Sequence, residues 1–161
     1  MDRTGLPLAE IATDWLSYQE QLVTALAPLS AEQLALRPAA HLWSVGMIAA
    51  HIVAARAHWF HGWMGEGGAE FDKLPYWDDE PDPHTAAEIV AKLALTWGMI
   101  ETALGSWTAE DLEQSYRSPY RKDRPPRTRK WIAWHVIEHD LHHGGEISLT
   151  LGMHGVSTTD V

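Results

Sequence analysis

A chain of 161 residues, 45% hydrophobic and 21% charged, has the makings of one globular domain that buries its core without covalent staples. With no cysteine, disulfides, thiolate zinc sites and a cysteine nucleophile are excluded, and a formal net charge of -10 opposes a duplex-binding role resting on Lys and Arg. No basic start with an apolar core marks a signal peptide, and no apolar run approaches the roughly 18 residues that span a bilayer, so the expectation is a soluble cytoplasmic protein without membrane or nucleic-acid partners.

Residues 8–27 place Ile11, Trp15, Tyr18, Leu22 and Leu26 at three- and four-residue spacing, the stripe of a first helix. LSAEQL at 29–34 reads as a short turn capped by Ser30. Ser44 caps a second long helix running to about Trp63, with Ile48, Ile52, Ala55 and Trp59 as its stripe. Residues 64–84, MGEGGAEFDKLPYWDDEPDPH, are an irregular stretch rich in Gly, Pro and acid. Phe71, Leu74, Tyr76 and Trp77 give it enough apolar area to fold back as a lid or a packed crossover. Thr85 caps a third helix carrying Ile89, Leu93, Trp97, Ile100 and Leu104, and WTAEDL at 107–112 is a second capped turn. Seven of the twelve basic residues then crowd into 117–130: Arg117, Arg121, Lys122, Arg124, Arg127, Arg129 and Lys130. They read as a solvated connection or as a cationic lip for an anionic ligand. Thr128 caps a last helix running to about Leu151. No period-two run argues for a strand. The expected fold is all-α, a four-helix bundle with a long crossover between helices 2 and 3 and two short capped turns, in a single domain over 1–161.

The chain looks like two copies of one unit: long helix, capped turn, loop, long helix bearing Trp and His. Trp43 precedes His51 by eight residues, and Trp131 precedes His139 by the same eight. Two copies packed about a pseudo-two-fold axis would bring His51 and His139 together.

The last helix holds WHVIEHDLHHGGEI at 134–147, with four of the ten histidines. Residues at i and i+4 share a helix face, so His135 with His139, or His139 with His143, could reach one divalent ion. His51 is the obvious third ligand. Three histidines on rigid helices leave coordination positions open, as catalytic sites do. Glu138 and Asp140 flank His139 and are candidates to orient an imidazole through its second nitrogen. His142 faces solvent or supports the site. His41, His58, His61, His84 and His154 read as ordinary histidines of loops and helix ends. No HExxH pair, Ser–His–Asp arrangement or phosphate-binding glycine loop is evident.

Trp43-Ser44 followed by AAHIVAARAHWF, together with HVIEHDLHHGGEISLTLG, resembles the DinB superfamily of small four-helix proteins. The likeness covers essentially the whole chain and is sharpest where HDLHHGGEI fits H-[DE]-x-H-H-x-G-[EQ]-[IL]. It departs at Gly144, where the family pattern commonly has arginine. The resemblance implies a divalent metal, zinc or nickel, on His51, His139 and His143, and so favours His143 over His135. It further implies a metal-dependent transferase or hydrolase in which the ion activates a low-molecular-weight thiol or water toward a small-molecule substrate. Such thiols carry carboxylates, which would give Arg124 and Arg127 a binding task. A homodimer is also implied. The alternative is a non-catalytic stress-response protein in which the ion stabilises the bundle.

Overall fold

The computed structural model describes residues 8–80 and 83–156; Pro81 and Asp82 of the crossover lie outside them, as do both ends of the expected domain. Four long helices form as expected: α1 (Leu8–Leu26), α3 (Val45–Ala57), α4 (Ala86–Ser106) and α5 (Arg129–Met153), with α2 (Ala31–Leu34) as the short turn between α1 and α3. Each expected cap is in place. The side chains of Ser44, Thr85 and Thr128 accept from the backbone N–H three residues on, which satisfies a donor the helix itself leaves orphaned. Ser30 and Thr85 complete reciprocal boxes with Gln33 and Glu88. Thr108 does the same with Asp111, ahead of a single 3₁₀ turn, Asp111–Glu113.

α3 is the central helix. It is apolar on nearly every side and packs against α4, α5 and the crossover, while α1 packs on α4. Ile52, Ile89, Leu93, Ile100, Ile132, Ile147 and Leu151 are fully buried between these helices. One charged pair lies in the same core: Arg56 and Asp140 have no exposed surface. Among the described residues no helix is long and apolar enough to cross a membrane.

Three local features go beyond the sequence expectation. The second long helix does not end evenly at Trp63; past Ala57 it widens into a π-helical turn, His58–Trp63, a conformation that occurs mostly as short insertions and frequently at functional sites. The crossover is packed rather than loose. Its two 3₁₀ turns, Ala69–Phe71 and Leu74–Asp79, bury Phe71, Leu74 and Trp77, and the Trp77 ring stacks on His84 at 3.8 Å. Finally, two residues of strand on each side, β1 (Ser115–Tyr116) and β2 (Arg127–Thr128), pair antiparallel and pinch off the basic stretch. No period-two signal was available because each strand is only two residues long.

Candidate metal centre

α3 and α5 run antiparallel with His51 and His139 facing across the seam, their Nε2 atoms 3.1 Å apart. His143, one turn beyond His139, closes the group: one nitrogen from each of His51, His139 and His143 lies within 4.8 Å of the others. With metal–nitrogen bonds of about 2.0–2.1 Å, ligands of a tetrahedral ion sit about 3.3 Å apart, so the 3.1 Å pair is already near that spacing. The duplicated unit thus does what its spacing implied.

Two carboxylates set the tautomers. His51 Nδ1 donates to Asp78 Oδ2 at 2.7 Å, and His143 Nδ1 donates to Glu146 Oε2 at 2.7 Å. Each imidazole so held turns its Nε2 lone pair away from the carboxylate, the arrangement commonly found around metal-bound histidines. His139 lacks such support; its Nδ1 is buried without a hydrogen-bond partner. Burial, and next the neighbouring His143 and His51, push the His139 pKa down to about 3. Burial is also the main force lowering His143, against the opposing pull of Glu146. Imidazoles converging in one place, with carboxylates behind two of them, are a donor set that fits a divalent cation. The cluster could hold such an ion.

The other candidates fall elsewhere. His135 is not part of the converging group: it stacks on Trp131 (4.8 Å, 19°), meets Trp59 edge-on (4.9 Å) and turns Nδ1 toward Glu138 at 3.6 Å. Of the two, it is His143 and not His135 that the geometry brings together with His51 and His139. Glu138 and Asp140 do not orient His139. Glu138 sits beside His135, and Asp140 is taken by Arg56 and by the indole N–H of Trp15. The residues that orient the cluster are Asp78 and Glu146. His142 is mostly exposed and forms a second, more open group with His143 and Glu146, sharing His143 with the first.

The basic stretch divides. Arg121 pairs with Asp123 and Lys130 with Glu113 at the surface, while Arg129 is buried against Trp107 and Tyr116. Arg127 lies over Trp131, 4.2 Å from the ring centroid, and Trp131 in turn stacks on His135. Arg124 is exposed, and its charge helps burial lower the pKa of His58. His58 accepts from the Trp63 indole at 3.2 Å and stacks face to face on Tyr120 at 4.4 Å. A row of rings therefore leads from the histidine cluster through His135 and Trp131 to Arg127. The contacts of His58 agree with an ordinary histidine near a helix end, held in place by the π-turn.

A family model of the DinB superfamily matches residues 17–147. Among solved structures, the chain is similar to a DinB-like protein from Bacillus cereus, at 24% identity and a TM-score of 0.73, covering 92% of this chain and 93% of that one. It is also similar to a DinB-like protein from Bacillus subtilis (15%, TM-score 0.68, covering 94% and 96%) and to a conserved protein from Enterococcus faecalis (17%, TM-score 0.66, covering 92% and 99%). At these identities the likeness is one of fold. No curated protein matches the chain. The family match takes in most of both copies of the unit and all three converging histidines, and the chain belongs to the DinB superfamily.

Proposed function

We propose that His51, His139 and His143 bind a divalent metal ion, zinc or nickel, and that the protein is a metal-dependent transferase or hydrolase acting on a small molecule. The carrying observation is the convergence of the three imidazole nitrogens within 4.8 Å. A divalent ion bound there supplies Lewis acidity that lowers the pKa of a thiol or water. The chain's own groups do the rest. Three protein ligands leave open positions, Asp78 and Glu146 hold two of the imidazoles in register, and the buried wall of α3 limits water behind the site. Arg124 and Arg127 supply positive charge for the carboxylates of a low-molecular-weight thiol. The ring row from His139 to Arg127 supports that reading, because it joins the cluster to the basic stretch.

Elemental analysis of natively purified protein tests the metal. About one equivalent is expected in the parent and none in His139→Ala; equal metal in both sinks the assignment. A screen of thiol cofactors against electrophiles then tests the reaction, and weaker thiol binding is expected when Arg124 and Arg127 are neutralised. The second reading, a stress-response protein in which the ion only cross-links α3 and α5, draws on the same ligands lying 88 residues apart. A large chelator-induced loss of thermal stability with no turnover on any thiol-transfer substrate favours it. A homodimer also belongs to the proposal. Trp134 and Leu141 are exposed on α5 and line an apolar groove of about 460 Å³ with Ile11 and Trp15 of α1. Sedimentation of the parent and of Trp134→Glu checks whether that face pairs two copies.

A further inference from the structure

Leu42, Trp43 and Met47 remain 43%, 46% and 43% exposed, although all three belong to the segment that leads into α3 and its His51. A single exposed apolar residue is ordinary, but a contiguous set beside a polar cluster marks a contact surface. Trp43 touches the histidines directly. The Trp43 ring meets His51 edge-on at 4.9 Å and lies along His143 at 6.5 Å, both between centroids. Met47 precedes His51 by one helical turn and shares its face.

The segment is fixed in place. Arg37 donates to the Leu42 carbonyl and contacts Met47 Sδ at 3.3 Å, the Arg37 carbonyl is itself held by His154 at 2.8 Å, and Ser44 caps the helix between them. These residues form a preformed shelf at the rim of the cluster. Residues 42–47, LWSVGM, carry no charge of their own, and the charge set against them is the Arg37 guanidinium on the Leu42 carbonyl and Met47 Sδ, which leaves the Trp43 ring as the apolar face nearest the histidines. Three side chains are also far short of the roughly 800 Å² per partner that a stable protein interface needs. A small molecule fits that footprint.

We infer that the ligand of the metal centre has an apolar body that lies on Leu42, Trp43 and Met47 while its donor atom reaches the ion. This rests on the metal reading and adds to it a class of substrate: a metal-binding head on an uncharged aromatic or branched aliphatic group.

The test uses cobalt(II)-loaded protein, whose visible absorption reports ligands on the ion, and two probes with one shared head, acetohydroxamate and benzohydroxamate. The phenyl probe is expected to bind the parent about tenfold more tightly than the methyl probe. Trp43→Ala and Met47→Ala should each shrink the ratio of the two affinities, a comparison in which any effect on the shared head cancels. Equal affinities in the parent, or a preference that survives both substitutions, overturn the inference. A change in oligomeric state of Trp43→Ala with the preference intact also overturns it, by making the shelf a protein contact. Failure of the metal reading is separately visible, since the parent would then show no cobalt spectrum before any probe is added.

Discussion

His139 and Asp140 are neighbours on α5, yet they enter two polar clusters of opposite character, one half-buried and one fully buried. Around Asp140 every polar end is met. Its carboxylate takes Arg56 through Nε and Nη2 and Trp15 through Nε1, at 2.7–3.2 Å, and Arg56 Nη1 donates to Gln19 at 2.7 Å. Around His139 the accounting stays open, with Nδ1 orphaned and Nε2 facing another imidazole. A fully satisfied buried network fixes how three helices meet, whereas imidazole nitrogens that face one another leave lone pairs a cation could take. The same turn of α5 thus ties α1 and α3 together on one side and presents on the other a histidine group that could hold a metal ion.

The largest expected effect comes from breaking the closed cluster. Asp140→Ala leaves the Arg56 guanidinium buried and unpaired, at a cost of about 3–5 kcal/mol read by urea unfolding. A loss near zero would show that the pair does not anchor the bundle. The open cluster should instead declare itself through pH. Unfolded histidine takes up a proton as pH falls through about 6.5, while folded His139 stays neutral to about 3, chiefly because it is buried. The unfolded state therefore binds more protons in that window. The contribution of His139 to metal-free stability is full above pH 6.5 and declines as pH drops toward 3, by up to about 1.4 kcal/mol per pH unit. His139→Gln should flatten this acid limb; an unchanged limb would remove His139 as its source.

Metal addition separates the clusters next. With zinc at about 100 times its Kd, the parent should gain about 2.7 kcal/mol and His139→Ala nothing. Asp78→Asn should weaken metal affinity about 10- to 100-fold in chelator competition, with metal-free stability nearly unchanged. Equal affinity would reduce the Asp78–His51 contact to a surface hydrogen bond.

How much of this was legible in the sequence depended on distance along the chain. Caps are local, so Ser44, Thr85 and Thr128 could be placed correctly from neighbouring residues alone. The equal Trp-to-His spacing reached further, because duplication carries long-range information in a short-range pattern. Even so, the copies diverge. Trp43 precedes its cap and stays at the surface, while Trp131 lies inside α5 and stacks on His135. Glu146 was readable three residues beyond His143. Asp78 was not, since it reaches His51 through a 3₁₀ turn positioned by the burial of Phe71, Leu74 and Trp77. The burial of Arg56 has no local signal either, since its partner lies 84 residues away.

The smallest predicted effects concern the two glycines beside the cluster, and they have opposite signs. Both are helical, so each replacement by Ala removes backbone freedom from the unfolded chain, a gain of about 1 kcal/mol where space allows. At Gly145 nothing lies within 4 Å of a built Cβ, and Gly145→Ala should raise stability by up to that amount. At Gly144 the Cβ would overlap the Tyr18 hydroxyl and press on Leu22 at 3.2 Å. Tyr18 bonds the Asp140 carbonyl at 3.3 Å, and burial followed by the Asp140 charge pushes its pKa up to about 12, so it sits as a neutral donor tied to the closed cluster. Gly144→Ala must displace that ring, and about 1–3 kcal/mol of overpacking outweighs the propensity gain. Thermal melts of the two variants decide it. A stabilising Gly144→Ala would mean that Tyr18 moves aside freely, and that close packing of α1 on α5 at this point is not what keeps the glycine there.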